Sequence, residues 1–514
     1  MTSFRMDHGG RVQRDAPLTF RWNGRPLKAF RGDTLASALL ANGVRVAGRS
    51  FKYHRPRGIA GQGQEEAGVL VTVGEGARTT PNLKPTTVEL EDGLVARAQN
   101  CWPSVDLDLG EVNDLLSPFL AAGFYYKTFM GVTGGTREWM FAERFIRAAA
   151  GLGRASPRAD PDWYEHVHGH CDVLVVGSGP AGLAAALECA EAGLDVVLAE
   201  QDFELGGDLL TDGHVGEHSA EYHRVDTLGE LRASGRARLM PRTMVFGLYD
   251  HGVAGMVERV VDPGGDRPRE RLHVMRAQRI IVAAGALERP FVFGGNDRPG
   301  VMSADAARAY LRRWGVAPGR RIVVAAANDS GYRAAGALGE AGLDVTLLDS
   351  RAAAAPDRLR RAKASGVDVR LGQAPIRALG RAGVHGLEIG RHDGAGAVSP
   401  TDTLRCDLVA VAGGWSPALH LTSHARVRPV WNAADACFLP GAAEGEVSAC
   451  GAAAGVWRRE ACVASGRAAG ALGVAGLDVR LPARGAPAGP DRLRGPTAPG
   501  LYFRIGRRRS GRWA

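Results

Sequence analysis

The sequence predicts an α/β protein with two dinucleotide-binding, Rossmann-like domains preceded by a small β-grasp module. Three observations carry this expectation. Residues 172–200 read as strand, glycine turn, helix and strand; residues 320–349 repeat that frame; and residues 18–43 read as a hairpin followed by a helix.

In 172–200 an apolar, mostly β-branched run from Asp172 to Val176 breaks at Gly177-Ser178-Gly179-Pro180-Ala181-Gly182, and an Ala/Leu-rich helical pattern follows. Gly177 permits the turn, Gly179 leaves no side chain between backbone and pyrophosphate, and Gly182 lets helix and strand pack closely, so the helix N-terminus faces the phosphates. Gly193 ends the helix and a second strand runs from Val196 to Ala199. Glu200, eighteen residues past Gly182, stands where an acid can accept both ribose hydroxyls, with Gln201 beside it.

The 514 residues allow roughly three domains, and 45% hydrophobic content suffices for real cores. No stretch approaches the roughly 18 to 20 apolar residues of a membrane span, and the N-terminus has no apolar leader, so a cytoplasmic location without membrane association is expected. Cys101, Cys171, Cys189, Cys406, Cys437, Cys450 and Cys462 are scattered without paired spacings, which points to neither a disulfide framework nor a metal cage. The net charge of +9 leans on five arginines in the last eleven residues, leaving the body close to balanced. That distribution argues against nucleic acid.

Residues 1–100 form the first module. Asn23-Gly24 is a strong hairpin signal between two strand-like runs, and Asp33 or Thr34 is placed to cap a helix ending at Gly43. The following loop, 46–61, has no cysteine, so the module is expected to be ferredoxin-like but without iron–sulfur ligands. Its Arg49, Lys52, His54, Arg55 and Arg57 cluster around Phe51 and Tyr53. A positively charged plug against a cofactor phosphate or a partner subunit is the preferred reading over a solvated loop. Strand-like runs from Val69 to Asn100, with Asp92-Gly93 as a hairpin turn, complete the module.

Residues 101–170 form an aromatic, partly helical connector that includes Phe119, Phe124, Tyr125, Tyr126, Phe129, Trp139, Phe141 and Phe145. Core packing is the expected role of this stripe, with a docking face for another polypeptide as the alternative. His166, His168 and His170 read as a polar lead-in to a strand and not as a metal site, since no carboxylate set accompanies them.

Residues 171–317 and 413–478 are expected to make the first dinucleotide-binding domain. Gly206-Gly207 and the strand 279–285, ending at Gly285, are expected beside the cofactor. Residues 318–412 make the second, degenerate Rossmann domain: Gly331, Gly342 and Asp349 match the spacing of Gly182, Gly193 and Glu200. Its turn, Ala325 to Gly331, is one residue longer and lacks the first two glycines, so side chains take the space of a pyrophosphate. In two-dinucleotide flavoprotein folds an aspartate after a late glycine bonds the ribityl chain of FAD; here the pair is Gly451-Ala452. Alanine cannot accept that bond, which favours NAD over FAD. Residues 479–514 are a Pro/Gly/Arg-rich tail.

Five stretches, GRSFKYHRPRG (48–58), PNLKPTTVELEDGLVARAQNCWPS (81–104), VVGSGPAGLAAALECAEAG (175–193), NDSGYRAAGAL (328–338) and CGAAAGVWRREACVASG (450–466), together resemble the α subunit of heterotetrameric sarcosine oxidase over about residues 18–475. The resemblance implies a cluster-free ferredoxin-like module fused to a domain that holds NAD. It carries the nucleotide loop onto Gly177, Gly179 and Gly182, with Glu200 at the ribose. It also implies a partner β subunit with FAD that oxidises a sarcosine-like N-methyl amino acid, FMN at the boundary, and a hetero-oligomer. The family's C-terminal folate-binding domain has no counterpart before residue 514. No acid, base or nucleophile constellation stands out, so no catalytic residue and no metal ligand is assigned to this chain. Two other readings stay open: the FAD-binding α subunit of an opine, proline or cyanide-forming dehydrogenase, and a truncated, non-catalytic scaffold.

Overall fold

The computed structural model describes residues 4–120, 136–211, 213–215, 217–261, 266–442 and 445–475. The described residues divide into two units: those up to Asp160 together with Pro290–Gly413, and Pro161–Arg289 together with those from Gly414 to Ala475.

In the first unit the β-grasp sheet has strands Gln13–Trp22 and Arg25–Arg31 as an antiparallel hairpin. Asn23 (φ 49°) and Gly24 (φ 80°) supply the two positive angles such a two-residue turn needs. Val95–Ala98 runs parallel to the first strand, and Val71–Val73 and Thr80–Leu83 extend the sheet. Helix Leu35–Ala41 crosses it with every residue buried; Thr34 and Ser37 form a reciprocal capping box, and Gly43 (φ 76°) lies past its end. Asp33 is used differently from a cap: its buried carboxylate binds Arg5 at 2.6 Å. Asp92-Gly93 is a turn whose Asp92 Oδ1 accepts from the Thr19 N–H, but Pro85–Thr87 ahead of it is a 3-10 turn that opens on a proline and not a ladder strand.

The same unit contains the second Rossmann sheet, five parallel strands in the order Val301–Ser303, Leu408–Ala412, Arg321–Ala326, Asp344–Asp349 and Asp368–Leu371. Val301–Ser303 corrects the expected boundary: residues 290–317 belong with this sheet because the strand pairs with Val409–Val411. One continuous core joins the β-grasp helix to helix Ala304–Trp314, and Trp314 Nε1 donates to the Gly32 carbonyl at 3.1 Å.

The basic loop differs from the charged plug expected of it, since its cations turn onto their own unit. Buried Arg49 donates to the Val105 carbonyl (2.7 Å) and pairs with Glu111 (3.1 Å). Arg55 pairs with Asp114 (2.7 Å), Arg57 with Asp297, and His54 with Asp108 (2.6 Å). The expected aromatic core is also corrected. Phe119, Phe141 and Phe145 are exposed, the last two on helix Thr136–Ala150, whose described residues are all exposed or half-buried, so it offers no core for them to enter. Phe124, Tyr125, Tyr126 and Phe129 lie outside the described residues, as does the tail 479–514.

The second unit holds the first Rossmann sheet. Its parallel strands follow the order Ala237–Met240, Val196–Ala199, Tyr164–Val176, Glu270–Val282 and Val447–Ala449, with two antiparallel strands, Val253–Arg259 and Thr243–Tyr249, continuing from Glu270–Val282. The first strand begins at Tyr164, so His166, His168 and His170 are strand residues paired with Leu272, Val274 and Arg276, not a lead-in to it. Among the described residues no group of three or more His, Cys, Asp or Glu is placed to hold a metal ion, and no helix is long and apolar enough to cross a membrane.

Candidate dinucleotide site

In a doubly wound sheet, ligands sit beyond the carboxyl ends of the strands where the strand order reverses. Here the reversal lies between Tyr164–Val176 and Glu270–Val282, and Gly177 to Gly182 follow directly on the first of these strands. Gly177 (φ 100°) is forced: a Cβ there would stand 2.5 Å from the Ala283 carbonyl oxygen. A Cβ on Gly182 would stand 1.8 Å from the Gly177 carbonyl oxygen, which is the close helix–strand approach. Gly179 is the opposite case, because a Cβ there would meet no heavy atom within 4 Å. That is the shape of a turn whose outer side takes a ligand.

Helix Pro180–Glu191 starts at this turn with Gly179 as N-cap and no side-chain cap; Pro180 at its first position gives up an N–H that has no helical partner anyway. Ala181 is buried, and a Cβ on Gly451 would come 2.5 Å from the Ala181 Cβ. The late Gly451-Ala452 pair is therefore set against the start of this helix, in the 3-10 turn Gly451–Ala454. Gly207 lies against Gly179, with 2.9 Å from a built Cβ to the Gly179 Cα. Gly285 (φ 74°) accepts from the Ala418 N–H just after Ala283, and space is open at its Cβ position too. Gln201 is exposed in the turn after Glu200.

Glu200 is buried, and its carboxylate is bound to the glycine turn. Oε2 accepts from the Ser178 N–H (2.8 Å) and hydroxyl (2.7 Å), and Oε1 from the Asp202 N–H (3.0 Å). The Ser178 oxygen in turn accepts from the Gly206 N–H at 2.9 Å, tying the second glycine pair to the first turn. Burial raises the Glu200 pKa above the ordinary carboxylate value, and the nearby Asp202 charge adds to this against the lowering by the donated hydrogen bonds. A carboxylate offers about four lone-pair sites, so with three donors bound about one remains. The carboxylate expected to accept from both ribose hydroxyls thus has about one site left.

The second Rossmann unit has the same frame and another outcome. Asp349, the counterpart of Glu200, accepts from Tyr332 Oη (2.9 Å), from Arg351 Nη2 (2.8 Å), and from the Nε and backbone N–H of Arg351 (both 3.0 Å), which fills all four sites. Asp329, at the N-cap of helix Ser330–Glu340, pairs with Arg351 (2.9 Å) and Arg358 (3.0 Å). Burial and the Asp349 charge push the Tyr332 hydroxyl pKa up.

Sequence reasoning missed the hydroxyl of Ser178 as the link between Glu200 and Gly206, and the pair Asp208–Arg459 (2.8 Å) that fastens the Gly207–Thr211 turn to the last helix. Two hundred and fifty-one positions separate Asp208 from Arg459, so no local pattern signals it.

The pyridine nucleotide-disulphide oxidoreductase family profile matches residues 171–430, and a 2Fe-2S iron-sulfur cluster binding domain profile matches residues 15–101. Sarcosine oxidase subunit alpha of Rhizobium meliloti (strain 1021) is 47% identical over 476 residues, covering 91% of this chain and 47% of that protein. The subunit of the same name from Corynebacterium sp. (strain P-1) is 34% identical over 490 residues, covering 91% of this chain and 45% of that protein. The chain thus spans about half the length of the curated relatives it matches. Among solved structures, L-proline dehydrogenase from P. horikoshii shares the fold, with a TM-score of 0.61 at 19% identity over 93% of this chain and 76% of that one.

A [2Fe–2S] cluster needs four thiolates, or two with two imidazoles. Residues 15–101 contain one cysteine, Cys101, whose thiol burial pushes up to about 11, and one histidine, His54, already bound to Asp108. That donor set does not fit the cluster. For a dinucleotide the residues do fit: an open Gly179, a helix N-terminus and an acid held at the turn. The chain belongs to the pyridine nucleotide-disulphide oxidoreductase family, and it resembles sarcosine oxidase α subunits along nine-tenths of its length.

Proposed function

We propose that this chain is the dinucleotide-carrying subunit of a sarcosine oxidase-like amine oxidoreductase. It binds NAD at Gly177–Gly182 and Glu200 and helps house a flavin, while a β-type flavoprotein subunit oxidises an N-methyl amino acid at its CH–NH bond. FMN is shared with that partner, the assembly is a hetero-oligomer in the cytoplasm, and no side chain of this chain acts on the substrate. The observation that carries the reading is the buried Glu200 carboxylate held on Ser178 beside an open Gly179.

NAD is favoured over FAD because position 452 is alanine, which cannot accept a hydrogen bond from a ribityl hydroxyl. The second Rossmann unit holds no dinucleotide in this reading, since Asp349 has no acceptor site left for a ribose. The ferredoxin-like module is cluster-free and structural: its loop presents arginines where a cluster would need thiolates.

The test is to purify the chain with and without the β-type subunit, denature it, and identify the released nucleotides by mass and absorbance. NAD from the chain alone, with flavin only from the complex, is the expected result. Tightly held FAD in the lone chain would replace this reading by that of an FAD-binding dehydrogenase α subunit. No nucleotide and no complex would leave only a scaffold.

A further inference from the structure

Residues 102–119 are built inside out. The stretch carries four acids, Asp106, Asp108, Glu111 and Asp114, and no lysine or arginine. Three of those acids pair with the basic loop, Asp108 with His54, Glu111 with Arg49 and, nearer the surface, Asp114 with Arg55. The backbone is pinned as well: Asn100 Nδ2 donates to the Arg49 carbonyl (2.8 Å), Arg49 to the Val105 carbonyl (2.7 Å), and Tyr53 Oη to the Leu120 carbonyl (2.8 Å). With its polar side held, the segment turns Trp102, Leu107, Leu109, Val112, Leu115 and Phe119 to the outside, each between 55% and 81% exposed.

A large side chain presents roughly 150–250 Å² when fully exposed, so these six together offer on the order of 700 Å² of mostly apolar surface. A monomer's largest apolar patch is about 300–600 Å² and is often functional, whereas a standard interface takes about 800 Å² from each partner. The basic loop takes up three of the segment's four acids and leaves Asp106 exposed, so the surface suits a mostly apolar face of a folded protein. With no cation in the stretch, it lacks what an anionic lipid surface or a nucleic acid would need.

We propose that residues 102–119 are the seat of the amine-oxidising flavoprotein subunit, and that the basic loop exists to hold this segment with its apolar side outward. This rests on the reading of the chain as one subunit of an amine oxidoreductase.

The test co-expresses the full chain with the β-type flavoprotein subunit and compares wild type with Leu115→Glu/Phe119→Glu. Leu472→Glu, exposed on the last helix, is the control. The double variant is expected to bind the partner at least 100-fold more weakly, while its own nucleotide content and melting temperature match wild type. The control should bind normally. Should the double variant melt early, Trp102→Ser and Leu115→Glu, made singly, carry the same comparison. Normal partner binding by all variants, with a wild-type complex present, overturns the seat and leaves the functional reading intact. A wild-type chain that forms no complex overturns both. Loss of self-association with partner binding unchanged reassigns the face to a contact between copies and overturns the proposal.

Discussion

Glu200 and Ser178 meet twice: one carboxylate oxygen accepts both the backbone N–H and the hydroxyl of the serine, at 2.8 and 2.7 Å. Through that contact the acid at the end of the second strand sets the shape of the glycine turn at the end of the first. The shape of the turn therefore depends on this carboxylate, and under the proposed function nucleotide binding would depend on it as well.

Glu200→Gln should weaken nucleotide retention. The amide NH2 would face the Ser178 or the Asp202 N–H, leaving a buried donor unmet at a cost of about 1–3 kcal/mol in stability, and loss of the charged acceptor for a ribose hydroxyl, a bond worth about 1.5–3 kcal/mol, should lower affinity roughly 10- to 150-fold. Nucleotide per chain after gel filtration reads this out. Ser178→Ala should cost about 1 kcal/mol of stability through the lost hydroxyl bonds and reduce retention less.

Gly179→Ala and Gly182→Ala should separate binding from folding. At 179 the added methyl projects into open space, and the backbone (φ −64°, ψ −179°) suits alanine. Stability should fall by about 1 kcal/mol or less, because alanine is a poorer N-cap than glycine, while the nucleotide is lost. At 182 the methyl would stand 1.8 Å from the Gly177 carbonyl oxygen, so the chain should fail to fold. Melting curves and nucleotide content together distinguish the two.

Stability should carry a pH signature from Glu200. Its pKa in the folded chain lies above the ordinary value near 4.5, so between the two values the folded state holds more protons than the unfolded one. Its contribution is complete below about 4.5 and is lost as pH rises through the folded value. As pH rises above about 4.5 the wild type should therefore lose stability relative to Glu200→Gln, as melting temperatures measured along that rise would show. Parallel curves would refute the assignment.

Ala452→Asp should shift the cofactor balance. An acid restored after Gly451 supplies the acceptor a ribityl chain needs, and the FAD-to-NAD ratio recovered from denatured protein should rise. An unchanged ratio would remove residue 452 as the reason for the preference.

His54→Ala should loosen the segment that displays Trp102 and Leu115. Breaking the buried pair with Asp108 should cost about 3 kcal/mol or less, since Asp108 keeps its bonds from the Trp102 and Gly110 N–H groups. Faster proteolysis near residues 102–119 with an unchanged nucleotide content is the expected pattern.

Much of this architecture was legible locally. The turn residues Asn23-Gly24, the cap at Thr34, the three glycines of 177–182 and the acids Glu200 and Asp349 all announce themselves by spacing, because turns, caps and strand ends are short-range geometry. The sequence alone therefore determined the two Rossmann frames, the module ahead of them and the glycine turn that opens the first frame. Tertiary structure decided what each acid does. Glu200 keeps about one acceptor site while Asp349 keeps none, because Arg351 and Tyr332 fold back onto it. It also decided that Arg49 is buried while Phe119, Phe141 and Phe145 are exposed. Charge and hydrophobicity are written in the sequence, but which side of a segment they cover depends on partners, such as Asp108 for His54 and Asp297 for Arg57, that the chain brings together only when folded.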